Sequence, residues 1–253
     1  MNEIGLICTD NRKTRFFQIA ADLVFAHRIE TYSHDCVIHE TFASNWFIGF
    51  LVSSGAPLGV RSGQKRIELS APKAILVPPY SLLEWHLGRG QAEWSGFFSK
   101  LPFSKRPFQL PTVFSFDGVL PKTAFELGDL IDRLDGGEEI GASRDNSWFS
   151  SRIKEFIDMH YREDMKVEDI AKKLNSHRSF VARSFKKSYG ISPVEYRHKL
   201  RVFEGLKKMN QEHQEVTTAA VESGFSSIQR FEEHFKDLFE MTPSQFNFSR
   251  LKR

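Results

Sequence analysis

One pattern occurs twice in this chain, offset by about 50 residues, and it limits the C-terminal part to a helical architecture. Val181 and Phe185 stand four apart and are followed by Gly190-Ile191-Ser192-Pro193 and Tyr196. Phe231 and Phe235 repeat that spacing and are followed by Glu240-Met241-Thr242-Pro243 and Phe246. A shorter apolar-periodic segment precedes each copy. Val167, Ile170, Ala171 and Leu174 run up to Asn175, and Val216, Ala219, Ala220 and Val221 run up to Ser223-Gly224-Phe225. Apolar residues three and four apart make one face of a helix, and Asn or Gly just past the last of them stops it. Each copy therefore reads as a short helix, a tight turn and a second helix.

Turn chemistry sets the predicted limits. Ser179 is the expected cap of a helix Phe180–Tyr189 that stops at Gly190, and Ser226 or Ser227 the cap of a helix Ile228–Phe239. Pro193 sits in the first turn of a helix reaching about Met209. Seventeen residues at 1.5 Å rise span about 25 Å. Half-sites on one side of B-DNA lie about 34 Å apart, so such a rod is of the right order to hold two reading helices near successive grooves. Charge points the same way. Residues 1–150 carry 15 Lys/Arg against 17 Asp/Glu, whereas 171–208 carry 11 against two. A local basic block in a chain of net charge +3 is the footprint of a polyanion-binding surface. On the helix after Ser179, Arg183, Lys186 and Lys187 lie away from the buried Val181 and Phe185, which suits a major groove. The second such helix carries Glu232, Glu233 and Asp237, with Glu240 at its end, which opposes phosphate approach.

The first half has a different period. Runs at 46–52, 65–69, 74–77 and 93–98 are short, rich in aromatic and β-branched residues, and separated by Gly/Pro/Ser breaks. They predict a small barrel or sandwich. Ala124, Leu127, Ile131 and Leu134 form a helical seam that suits either packing on the barrel or pairing with a second copy. Asp135-Gly136-Gly137 stops that helix, and the polar stretch 138–146 is the expected linker, with domains at 1–140 and 146–253. From Asn146 on, every segment reads as helix, with Asn146 or Ser147 capping one that buries Ile153, Phe156 and Ile157.

Other chemistry is thinly represented. Cys8 and Cys36 have neither metal-ligand spacing nor the numbers for a disulfide framework. No run of about 18 apolar residues occurs, and the start MNEIGLICTDNRK lacks the order of a signal peptide, so a cytoplasmic, nucleoid-associated location without membrane contact is expected. His34, His39 and His86 lack the His-x-His pair that a metal barrel needs, and no phosphate loop, activated serine or paired catalytic carboxylates stand out. No metal or other cofactor is expected. Phe97, Phe98, Phe103, Phe108, Phe114 and Phe116 crowd the end of the strand region, as core or as the lining of an apolar effector cavity.

Residues Lys166–Asn247 resemble the DNA-binding domain of the AraC/XylS transcription regulators. The motifs are Val167-Glu168-Asp169-Ile170-Ala171, Arg183-Ser184-Phe185-Lys186-Lys187, Gly190-Ile191-Ser192-Pro193 with Tyr196, and Leu200-Arg201. The most specific is Ala220-Val221-Glu222-Ser223-Gly224-Phe225-Ser226-Ser227, followed by Phe231, Phe235-Lys236 and Thr242-Pro243-Ser244. The resemblance implies an α+β chain: an N-terminal cupin-like β-barrel with a helical dimerisation segment, and an all-α C-terminal domain with two helix-turn-helix units on a linker helix. It implies base contacts at Ser179, Ala182 and Arg183, with Arg178, Lys186 and Lys187 beside them, the lysines on phosphates. In the second unit base-reading positions fall on Ile228, Gln229 and Glu233, with Ser226, Ser227 and Arg230 as backbone contacts. Glu233 stands where the family commonly has arginine, so that unit is expected to contribute less affinity or to read cytosine. The implied partners are double-stranded DNA, RNA polymerase and a small-molecule or protein effector of unspecified class, for a regulator, an activator by analogy, acting as monomer or homodimer. The alternative is a cupin-type metal enzyme with a nucleic-acid-binding module.

Overall fold

The computed structural model describes residues 2–63, 65–103, 108–134, 136–141, 148–212 and 214–246. The chain divides into two units, Met1–Ile38 with Ser44–Gly141 and His39–Ala43 with Ala142–Arg253. The first is built from strands β1 (Asn2–Cys8), β2 (Arg12–Ala20), β3 (Leu23–Tyr32), β4 (Cys36–Thr41), β5 (Trp46–Ser54), β6 (Leu58–Ser62), β7 (Lys65–Leu69), β8 (Lys73–Val77), β9 (Leu82–Leu87), β10 (Gly90–Ser99), β11 (Thr112–Ser115) and β12 (Glu138–Glu139), with one helix, α1 (Ala124–Arg133). An eight-stranded sheet runs β1-β2-β3-β10-β5-β8-β11-β12 and a four-stranded one β4-β9-β6-β7. The expected barrel is thus refined: among the described residues the strands form two sheets and no single closed barrel.

Register explains the core. Phe97 of β10 lies opposite Ile48 of β5, and Ile48 lies opposite Leu76 of β8. One row away, Phe50 pairs with Ala74, and Ala74 with Phe114 of β11. Because side chains alternate faces along a strand, these residues share one side, with small Ala74 set between two phenylalanines. Phe97 and Phe114 are core residues, while Phe103, Phe108 and Phe116 pack around them, half-buried. Phe98, on the other face, stacks with Phe47 at 4.9 Å.

α1 covers this face. Its Thr123 cap accepts a hydrogen bond from the Glu126 N–H, and Leu127, Ile131 and Leu134 enter the same cluster as Ile48 and Phe97. The helical seam packs on the sheet of its own unit. Leu127 and Ile131 are fully buried and Leu134 nearly so within their own unit, and Ala124 is exposed. Packing the stripe into the cluster that holds Phe114 removes its apolar area from water. The expected linker also needs correction. Glu138 and Glu139 form β12, paired with Val113 and Thr112 at the edge of the large sheet. Residues 142–147, with the cap candidates Asn146 and Ser147, lie outside the described residues.

The second unit is helical: α2 (Trp148–His160), α3 (Val167–Lys173), α4 (Arg178–Tyr189), α5 (Pro193–Gln211), α6 (Val216–Glu222) and α7 (Ile228–Phe239). The repeat read from the sequence fixes its core. Val181 and Phe185 of α4 and Phe231 and Phe235 of α7 are wholly buried, as are Tyr196 and Leu200 of α5. A side-chain network ties α2 to its neighbours. The Ser150 hydroxyl donates to the Ser184 carbonyl at 3.1 Å, and the Tyr196 hydroxyl to Asp158 at 2.6 Å. Lys154 pairs with the other Asp158 oxygen at 2.6 Å. Burial nonetheless pushes the Asp158 carboxyl above its ordinary value.

Leu127→Ala should lower the stability of the β-rich unit by about 2–5 kcal/mol through the cavity it leaves, and leave the oligomeric state unchanged. Chemical denaturation and sedimentation equilibrium check the two halves of this expectation. A changed association state with little loss of stability would place Leu127 in a subunit interface instead.

Candidate nucleic-acid interface

Two tight turns aim the candidate reading helices. In the first, Asn175 takes a left-handed φ of 48° and the Ser176 N–H donates to the Ala171 carbonyl at 2.8 Å. In the second, Gly224 takes φ of 98° and the Phe225 N–H donates to Ala220 at 3.1 Å. The same turn is thus built twice, once with Asn and once with Gly. Gly224 is additionally required by space, since a Cβ there would lie 2.4 Å from the Arg162 carbonyl oxygen.

The helix starts differ from the sequence expectation in one respect. The compact first turn lets α4 begin at Arg178, and the His177 Nδ1 accepts the Ser179 N–H at 3.3 Å. Ser179 is not the cap; it lies inside the first turn of the helix. In α7 the expected Ser227 does cap, accepting the Arg230 N–H at 3.3 Å, and Ser226 stays in the turn. Both helices end on a left-handed residue, Gly190 at φ 79° and Glu240 at φ 61°. The α4-to-α7 offset is 50 residues and the turn-to-turn offset 49, because the second turn holds one extra residue.

On α4 the structure brings together one exposed face. Ser179, Arg183, Lys186 and Lys187 are exposed and Ala182 is half-buried between them, while Val181 and Phe185 anchor the opposite side. The whole helix contains no acidic residue. Arg183 turns its Nε back to the Ser179 carbonyl at 3.2 Å, and Arg178 pairs with Glu168 of α3 at 2.8 Å. Both contacts are solvent-exposed and contribute little to stability, about 0–1 kcal/mol, so either guanidinium can be redirected at small cost. On α7 Gln229, Arg230 and Glu233 are exposed, and Ile228 is half-buried. Exposed Asp237 and half-buried Glu232 share that helix, so its field is mixed where that of α4 is positive.

Sequence reasoning missed the parts that hold these helices in place. Arg201 of α5 is buried and donates from Nε to the Tyr161 carbonyl and from Nη2 to the Glu163 carbonyl, the latter at 2.7 Å. Arg197, one turn earlier, donates to the Met165 carbonyl. Buried Glu204 accepts from Arg162 at 2.6 Å and from the Tyr161 hydroxyl at 3.3 Å. His198 and His234 stack at 4.0 Å between α5 and α7. Burial first, then His234 and the surrounding arginines, pushes His198 down to about 3, and burial likewise lowers His234. The only sequence signal for the clamp is the four-residue spacing of Arg197 and Arg201, which a solvated helix face would show equally.

Two of the histidines singled out earlier take ordinary roles. His86 Nε2 bonds Glu84 at 2.6 Å beside an Arg61–Glu84 pair, and His34 bonds the Ser33 hydroxyl at 3.0 Å. Among the described residues no group of three or more His, Cys, Asp or Glu side chains is placed to hold a metal, and no helix is long and apolar enough to cross a membrane.

Residues 170–248 match the family described as a helix-turn-helix domain. Over those residues the chain carries an AraC-type helix-turn-helix domain. Among curated relatives, the Msm operon regulatory protein of Streptococcus mutans is 26% identical over 161 residues, covering 64% of this chain and 57% of its own length. The transcriptional regulatory protein HptR of Staphylococcus aureus is 27% identical over 101 residues, 40% of each chain. The chain thus spans about half the length of the curated relatives it matches. Beyond the AraC-type domain, the likeness to solved structures extends to the whole fold. ToxT from Vibrio cholerae O395 superposes with a TM-score of 0.52 at 11% identity, over 94% of this chain and 97% of that one. A ToxT structure described as bound to unsaturated fatty acid gives 0.51 at 12% identity, over 90% and 96%. At such identity the likeness concerns the fold alone.

Two outcomes are expected of the AraC-type domain. Gly224→Ala should cost more than about 2 kcal/mol, combining left-handed strain with the clash on Arg162, read as a shifted denaturant midpoint. Acid should destabilise the domain through His198. The unfolded chain takes up a proton below the ordinary 6.5, whereas the folded form resists down to about 3, so proton uptake favours unfolding as pH falls through that window. His198→Gln should flatten the dependence of the unfolding midpoint on pH between those values, and an unchanged slope would remove His198 from this role.

Proposed function

We propose that this chain is a sequence-specific DNA-binding transcription regulator, not an enzyme, in which α4 enters a major groove and reads bases. The observation that carries the reading is the acid-free exposed face of α4, with Ser179, Ala182 and Arg183 near its start and Lys186 and Lys187 beyond. A helix fits the major groove, a guanidinium grips guanine O6 and N7 together, and lysines neutralise flanking phosphates. Arg178, once released from Glu168, adds a backbone contact at the helix start, where the free N–H groups already favour an anion. The duplication supplies a second, weaker reader. On α7, Gln229 suits adenine, Glu233 accepts from cytosine, and Ile228 offers an apolar contact, with Ser226, Ser227 and Arg230 toward the backbone. α5, 19 residues long, spans about 28 Å and keeps the two readers at a fixed spacing.

The β-rich unit, a cupin-like fold in this reading, is the sensing part. A small molecule or partner protein that binds one of its arrangements better shifts how the domain beyond it meets DNA. Activation through RNA polymerase, with the protein as monomer or homodimer at the nucleoid in the cytoplasm, completes the scheme. The relatives named as operon and transcriptional regulators support it.

Arg183→Ala should weaken cognate binding by about 1–3 kcal/mol and relax base preference at one position. Lys187→Ala should weaken all duplexes alike and flatten the salt slope by about one unit. Fluorescence anisotropy with a selected duplex pool across a salt series measures both. If neither substitution changes binding, α4 is not the reading helix.

A further inference from the structure

A cleft of about 300 Å³ lies between α5, the second helix-turn-helix and the loop after α2. Arg197, His198 and Arg201 line it from α5, Arg230 and His234 from α7, and Arg162 from the loop after α2. Asp164 is the one carboxylate among the lining residues. Arg162 is already paired with Glu204, which leaves three guanidiniums against a single acid, an excess of two positive charges.

These cations are poorly answered by the protein itself. Arg201 and Arg197 donate to backbone carbonyls, which carry no net charge. The Nε of Arg197 is buried and has no hydrogen-bond partner. Arg230 is exposed, and among the described residues no carboxylate lies within ion-pair distance of it. Leaving a buried charged donor unmet is costly, and natural sites that do so commonly await a ligand or ion. Crowding is visible in the ordinary values of the groups as well. Arg197 and Arg201 are both lowered by burial and by a neighbouring arginine, Arg201 to about 10, and both histidines are held neutral. The neutral rings then present N–H groups without adding repulsion.

We propose that this cleft is a phosphate-binding site. A guanidinium fork matches the oxygens of a phosphate in a bidentate arrangement, and a dianion matches the excess of two charges. The turn residues Gly224, Phe225 and Ser226 form the rim, where an oxygen of the anion meets backbone and the exposed Ser226 hydroxyl. The location gives the site a purpose in either of two settings. A duplex backbone passing along the start of α7 would offer phosphates here, and a free phosphorylated small molecule seated there would brace α5 against α7. The second setting does not depend on the DNA reading.

The test uses the full chain and inorganic phosphate as probe. The ring signals of His198 and His234 are followed by NMR while phosphate replaces chloride at constant ionic strength. Saturable shifts are expected, weakened about tenfold by Arg230→Gln and strengthened severalfold by Asp164→Asn, with both variants folded as judged by their unperturbed spectra elsewhere. A duplex is then added to the phosphate-loaded protein. Displacement of phosphate identifies the DNA backbone as the natural source, and retention identifies a free phosphorylated ligand. If phosphate acts no differently from chloride and the duplex leaves both rings unmoved, the cleft is not a phosphate site. Duplex binding with silent rings would overturn this proposal alone and leave the reading of α4 standing.

Discussion

The C-terminal unit depends on a set of hydrogen bonds from α5 to one short loop. Arg197 and Arg201 donate to the carbonyls of Tyr161, Glu163 and Met165, the second of which also accepts the Met165 N–H at 2.8 Å, and so pin the loop between α2 and α3. Glu204 fastens the same loop through Tyr161 and Arg162. The turn at Gly224 approaches Arg162 so closely that no side chain fits between them. The first helix-turn-helix, the connector and the second turn therefore meet on residues 161–165. A buried guanidinium is tolerated because its donors replace water with carbonyls at fixed angles, and that geometry makes the connector a strut with a defined orientation.

The two repeats share their packing and differ in their field. Val181/Phe185 and Phe231/Phe235 bury equivalent faces, and both helices end on a left-handed residue. On the outward side α4 carries only cations, whereas α7 mixes Arg230 and Lys236 with Glu232, Glu233 and Asp237. Packing constrains the inner face to apolar residues of set size, and nothing in the fold constrains the outer one, which was left open to specialise. The cleft places Arg197, Arg201 and Arg230 beside α7, the helix with the more mixed surface charge.

In the β-rich unit the decisive contact is α1 on the large sheet. The alternation of Ile48 and Phe50, and of Ala74 and Leu76, makes one apolar face, and Leu127, Ile131 and Leu134 close it. The two sheets are reached by the chain without a single closed barrel among the described residues. The ToxT likeness spans both units at low identity, consistent with a fold kept by pattern while individual residues changed.

Much of the helical half was legible in the sequence, because its signals are local. Four-residue apolar spacing, a Gly or Asn after it and a Pro at a helix start act within a few residues, and the duplication let each copy corroborate the other. Strands β5, β7, β8 and β10 were legible for the same reason. β2 and β3 were not, since their charged and apolar residues are partly exposed along most of their length and show no clean alternation. Tertiary structure alone decided what meets what. It turned the α1 seam inward, moved the cap of α4 from Ser179 to His177 and its start from Phe180 to Arg178, and made β12 of two glutamates expected in a linker. It also gathered arginines and histidines of α5 and α7 into one cleft. A periodic pattern fixes which face of an element is apolar, but the partner for that face, and the company kept by a charged side chain, depend on residues far away in the chain.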